Sequence, residues 1–254
     1  MISTVFLAAL SLAPMEPGFV PDIPDGARLF PHETCYAVEL NGQVAGATRQ
    51  SVHAAILGSR PVWRIEIHQR LPALEFDVRD VFLVDRSDLS AIRYESTRLA
   101  SSRSPARTVR VDYGSTAIRG SMRVGEAHTE LEGSVQYPVW DGNLWGPAFA
   151  GMDLHEDARH TLPFWHYEKG EGVFNVRVLG SEFVPTPRGA VDAWVVEADG
   201  GSGSATTYWI AKSDHAELGY STGPIEQRLG GDCSTFPPAF TEASWTERWL
   251  GDRT

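Results

Sequence analysis

The feature that most constrains this chain is an alternation of apolar and polar residues that begins near residue 34 and recurs in segments of strand length. Tyr36, Val38 and Leu40 alternate with Ala37 and Glu39; Trp63, Ile65 and Ile67 with Arg64, Glu66 and His68; Val109, Val111 and Tyr113 with Arg110 and Asp112. Ile118 and Met122 stand opposite Arg119 and Arg123 in the same way. A period of two sends successive side chains to opposite faces of a strand, so each segment has one apolar and one charged face. Such strands belong to an antiparallel sheet with one face on a core and the other in water.

The gaps between segments are hairpin-sized. Asn41-Gly42 is the dipeptide that a two-residue type I′ turn requires, because both of its central residues need positive φ. Strand signals resume at Phe164–Tyr167, Val173–Leu179, Ala190–Glu197 and Thr206–Lys212, with a glycine- and serine-rich tip near Asp199. Between the two strand blocks, Tyr137–Leu154 breaks the alternation with Pro138, Pro147, Trp140, Trp145 and Phe149, and reads as an aromatic loop with one helical turn. No amphipathic helix of βαβ type separates the strands. The expected fold is all-β: a large curved antiparallel sheet, half-barrel or open barrel, with an inserted aromatic loop and a short C-terminal helix. That helix is read from the Ser244/Glu247 capping pair and from Trp245 and Trp249, four residues apart. From Pro224 onward no strand is expected. The divisions are 1–13, 14–33 as an N-terminal extension, 34–223 as one β domain, and 224–254 as a tail.

Met1–Ala13 is apolar and ends in Ser11-Leu12-Ala13, a small-x-small triplet that resembles a signal-peptidase site, so residues 1–13 read as a signal peptide and the protein as exported to the periplasm or envelope. Cys35 and Cys233 are the 2 cysteines, and in an oxidising compartment they could pair; two unrelated buried thiols are the alternative. With 33 acidic and 22 basic residues the formal charge is −11, which repels phosphate backbones, so no nucleic-acid partner is expected. No apolar run approaches the roughly 20 residues of a membrane-spanning helix, and no span is expected. No P-loop and no G-x-G-x-x-G follows a strand, and no cofactor is expected.

Other motifs carry alternatives. Gly219-Tyr220-Ser221-Thr222-Gly223 has the spacing of a nucleophile elbow, but no histidine follows Ser221 to serve as its base. His155 and His160 are five apart, a helical rotation of roughly 140°, so they diverge on a helix, although a loop could gather His155, His160 and His166 with Asp153 or Glu156 around a metal. Asp77, Asp80, Asp85 and Asp88 lie in one stretch among arginines and read as solvated strand faces and turns. The aromatic residues are the more informative set. Trp63, Ile65, Trp140, Trp145, Phe149, Trp165, Trp194 and Tyr208 are the candidate lining of the concave face, which they either plug or leave open as a groove.

The opening CYAVELNGQVAGATRQSV and the closing VFNVRVLGSEFV, AVDAWVVEADG and TTYWIAKSDHAELGYSTG resemble a large family of exported bacterial β-proteins of unassigned function. Its members begin with a strand, an Asn-Gly turn and a glycine just beyond, here Gly46, and end with a strand like Tyr208–Lys212. The family is similar in architecture to lipoprotein carriers of the LolA and LolB type, which implies a half-barrel with an apolar interior and supplies no catalytic residues. The function expected is a non-enzymatic exported protein that binds a lipid or acyl chain on the concave face. The alternatives are a metal-dependent hydrolase at His155, His160 and His166, and an envelope scaffold pairing through a sheet edge or the Trp245/Trp249 face.

Overall fold

Asn41 and Gly42 take φ of 52° and 74° and close the first hairpin with Leu40 opposite Gln43, the two-residue turn that their side chains dictate. In the computed structural model, which describes residues 20–135, 138–201 and 205–237, this hairpin begins a long meander. It runs through β1 (His32–Leu40), β2 (Gln43–Leu57), β3 (Arg60–Leu71), β4 (Phe76–Asp85), β5 (Ala91–Arg98), β6 (Arg107–Tyr113), β7 (Ala117–Val124) and β8 (Ala127–Ser134). A second series contains β9 (Trp140–Asp141), the short helix α1 (Gly146–Ala150), β10 (Arg159–His166), β11 (Gly170–Thr186), β12 (Gly189–Asp199), β13 (Thr206–Ala211), β14 (Glu217–Thr222) and β15 (Ile225–Leu229). All the strands belong to one 15-stranded sheet, ordered β8 to β1, then β15 back to β9. The ladders are antiparallel except for the short parallel contact of β9 with β10. The fold is all-β, as the alternation requires.

β15 is the correction to the reading of the tail. It pairs with β1 from Tyr36 opposite Leu229 to Leu40 opposite Ile225, and so joins the two series in the middle of the sheet. Its sequence, IEQRL, hides this role because Gln227 occupies an inward position where an apolar residue would have marked the strand. The helix expected around Trp245 and Trp249, like the signal peptide at 1–13, lies outside the described residues. Among the described residues no helix is long and apolar enough to cross a membrane.

The sheet curls until its two ends overlap without pairing. Tyr113 on β6 donates to the Asp141 carboxylate on β9 at 2.5 Å, Ala91 N–H at the start of β5 donates to the Val139 carbonyl at 2.9 Å, and the Tyr94 and Tyr167 rings stack at 5.9 Å. Arg107 on β6 meets Glu168 beyond β10 at 3.0 Å. The hollow is filled by the inserted loop: Trp140, Leu144 and Phe149 are fully buried against Trp63, Phe82 and Phe174. Each such side chain contributes about 1.5–3 kcal/mol by leaving water. The indole donors are satisfied, Trp63 to the Gly26 carbonyl at 2.9 Å and Trp140 to the Asp88 carbonyl at 3.0 Å. Gly26 belongs to an N-terminal strap: Asp25 N–H donates to the Gly151 carbonyl at 2.7 Å, and Arg28 binds the Met152 carbonyl and the Asp153 carboxylate. This strap and the loop close one end of the curl.

Part of the outward face is covered as well, most notably on β2 to β4. There Arg49, Arg64, Glu66 and His68 are buried, with the Glu66 carboxylate 3.3 Å from Arg49 and 2.8 Å from Arg79. The charged face expected in solvent is covered because the chain after β15 returns across it. Phe236 lies 4.8 Å from the His68 ring and beneath the Arg49 and Arg70 guanidiniums, and Arg49 donates to the Pro237 carbonyl at 2.7 Å. A Cys35–Cys233 disulfide with Cα atoms 6.0 Å apart holds this segment down across a sequence separation of 198. Cross-linking so distant a pair restricts the unfolded chain, so replacing both cysteines by serine should lower stability by about 2–5 kcal/mol. Urea unfolding of the variant beside the parent measures it; identical midpoints would show that the cross-link carries no stability.

Candidate functional site

Along each central strand the inward side chains change character from one end to the other. On β2 they run Val52, Gln50, Thr48; on β3 Trp63, Ile65, Ile67, Gln69; on β13 Ile210, Tyr208, Thr206. The large apolar residues meet the loop and the strap. The polar ones face a cavity of about 410 Å³ at the other end, within the roughly 300–1,000 Å³ of small-molecule sites.

The cavity has two unlike walls. Ile67, Phe76 and Val78 from β3 and β4 supply an apolar side, interrupted by Gln69 and Asp80. Thr48 and Gln50 on β2, Gln227 on β15, Glu217, Tyr220 and Thr222 on β14 and Thr206 on β13 supply a polar side. The loop forms the floor with Trp145, whose ring lies 4.6 Å from Phe174 and 6.2 Å from Tyr208. Gln69 donates to the Thr48 hydroxyl at 3.1 Å, and the Tyr36 hydroxyl donates to the Glu217 backbone carbonyl at 3.0 Å. The Glu217 carboxyl rests against the start of α1, where a Cβ on Gly146 would stand 2.0 Å from Oε2, so a larger residue there would have to displace the carboxyl.

Burial governs the carboxyls. Glu217 is pushed up to about 7 by desolvation, against a hydrogen bond from Gln50 that favours its ionised form. Asp141, behind the cavity floor, is raised to about 6 by desolvation, although Tyr113 and Asn143 hydrogen-bond it. Asp80 is raised for the same reason while accepting from the Tyr94 hydroxyl at 3.0 Å. It lines the cavity and is not on a solvated face, a placement decided by the inward register of β4.

The residues singled out from sequence separate into groups. Trp145 and Tyr208 line the cavity. Trp63, Ile65, Trp140, Phe149 and Trp165 are buried in the core, and Trp194 is half-buried with the Lys212 ammonium 4.4 Å from its ring. Ser221 sits within β14, paired with Thr207 and Glu226, while His215 is bonded to the Ala150 carbonyl. The three loop histidines engage different partners: His155 the Glu156 carbonyl, His160 the Asp153 carbonyl, and His166 the Glu168 N–H. Among the described residues no three His, Cys, Asp or Glu are grouped to hold a metal. Sequence reasoning missed Gln50, Gln69 and Gln227. Their signal was a glutamine in the apolar register of a strand, which costs free energy unless the amide meets water or a partner.

Residues 35–221 match the family model described as "Protein of unknown function (DUF3108)". No curated protein matches the sequence. Among solved structures, the chain is similar to the "Beta-barrel-like Protein of Domain of Unknown Function DUF1849 from Brucella abortus", with 11% identity and a TM-score of 0.46 over 80% of this chain and 97% of that one.

The buried acids give stability a pH dependence. Glu217 binds its proton more tightly folded, at about 7, than unfolded, near 4.5, so its contribution is whole below 4.5 and lost as pH rises through 7. Asp141 acts in the same direction up to about 6, whereas His166, lowered to about 4 by desolvation, adds stability as pH rises from 4 to 6.5. Glu217→Gln should therefore remove on the order of 3 kcal/mol of the stability lost between pH 4.5 and 8. Urea unfolding at both pH values measures it; an unchanged pH difference in the variant would contradict the burial of this carboxyl.

Proposed function

The chain belongs to the DUF3108 family of proteins of unknown function, and from that premise we propose that it is a non-enzymatic, exported binding protein for an amphiphile. The lipid or acyl part of the ligand lies against Ile67, Phe76 and Val78, in the cavity at the open end of the curled sheet. The observation that carries this reading is the cavity itself: the loop fills the far half of the hollow and leaves about 410 Å³ beside an apolar wall. Hydrocarbon laid on an apolar wall of this kind leaves water at a gain of roughly 25 cal/mol per Å².

The likeness to lipoprotein carriers of the LolA and LolB type belongs to this proposal, with an envelope or periplasmic location. Support for the location comes from the Cys35–Cys233 disulfide, since such bonds persist in oxidising compartments.

A fluorescent fatty acid should gain emission on titration into the protein and lose it when an unlabelled amphiphile competes. Phe76→Asp places a charge on the apolar wall and should weaken binding about tenfold or more, with an unchanged far-ultraviolet circular dichroism spectrum. A titration without saturable binding, together with native mass spectra showing only the bare chain, would overturn the proposal.

A further inference from the structure

The two walls of the cavity ask for different chemistry. Gln227 is only 4% exposed, faces the cavity from the middle of the sheet, and no side-chain hydrogen bond ties down its amide among the described residues. The hydroxyls of Thr206 on β13 and Thr222 on β14 likewise face the space without a side-chain hydrogen bond among the described residues. A bare hydrocarbon in contact with this wall would strip these groups of water and leave them unpaired, at about 1–3 kcal/mol each. The wall therefore suits a ligand whose second part is rich in hydroxyl or amide groups.

Charge narrows the class. The carboxyls facing the cavity are Glu217 and Asp80, and the cation is Lys169 on the turn between β10 and β11. Asp80 accepts from Tyr94 and Glu217 is held by Gln50, so each carboxyl already has a neutral partner inside the protein. An anionic headgroup would meet these two acidic side chains in a poorly solvated space, with Lys169 alone opposing them among the described lining residues. Burial raises the pKa of both, which favours their protonated forms and lets them donate as well as accept. The Trp145 ring at the floor, between the walls, adds a flat apolar surface for the C–H face of a ring.

We infer that the ligand's headgroup is neutral and polyhydroxylated, a sugar carried on an apolar chain, with the headgroup on Gln227, Thr206 and Thr222 and the chain on Phe76 and Val78. This rests on the amphiphile-binding proposal and fixes the part of the ligand which that proposal leaves open.

The test is calorimetric titration of the full chain with octyl β-glucoside below its micelle concentration, with octanoate, and with glucose. The glucoside should bind about tenfold or more tightly than either of the others, since each supplies half of the complement. Gln227→Leu, close in volume, should reduce that preference to about threefold or less; Thr206→Val, on another strand, should act in the same direction and serves if the first variant folds poorly. If octanoate binds as tightly as the glucoside, or the preference survives both substitutions, the headgroup inference fails while amphiphile binding stands. If glucose alone matches the glucoside and Phe76→Asp has no effect, the apolar wall is not used and the amphiphile proposal fails with it.

Discussion

The pairing of β1 with β15 is the constraint on which everything else depends. Without those five register pairs the chain would form two separate meanders, each with a long exposed edge; with them, 15 strands become one sheet. A twisted sheet of that width does not stay open and flat. It curls, and curling creates a hollow that must be filled. β9 and the loop that follows it do this with Trp140, Leu144 and Phe149, and the strap around Gly26 seals the same end.

The filling is incomplete in one direction, and the sequence of each strand says which. Inward residues pass from tryptophan, phenylalanine and isoleucine at the sealed end to glutamine and threonine at the other. Polar side chains in a buried register destabilise a plain core, so their concentration on β2, β13, β14 and β15 marks a surface that meets water or a ligand. The carboxyls of Glu217, Asp80 and Asp141 follow the same logic, shifted toward their neutral forms by the low solvation of the hollow.

Much of this was legible beforehand. Period two in Tyr36–Leu40, Trp63–His68 and Val109–Tyr113 places those residues on strands, Asn41-Gly42 fixes a hairpin, and the run from Pro138 to Leu154 is the one stretch with enough unpatterned aromatic bulk to fill a hollow. What escaped depends on contacts distant in sequence. β15 lacked an apolar centre because Gln227 faces the cavity, and the outward Glu66 and His68 looked solvated because the segment that returns across them begins more than 160 residues later, at Cys233. Among the aromatic residues, alternation identifies the inward face but not depth along it. Trp63 shares that face with Tyr208, yet packing of the loop encloses Trp63 and leaves Tyr208 beside the cavity, while Trp165, next to the inward Phe164, lies on the other face of β10 against Tyr113 and Gly133 of the overlapping end.

The polar end of the hollow as a ligand site is tested most directly by electron density in crystals of the protein grown with octyl β-glucoside. A bound molecule is expected with its chain against Ile67 and Phe76 and its hydroxyls within hydrogen-bond distance of the Gln227 amide. Density for solvent alone there, or side chains collapsed across the space between the two walls, would contradict it.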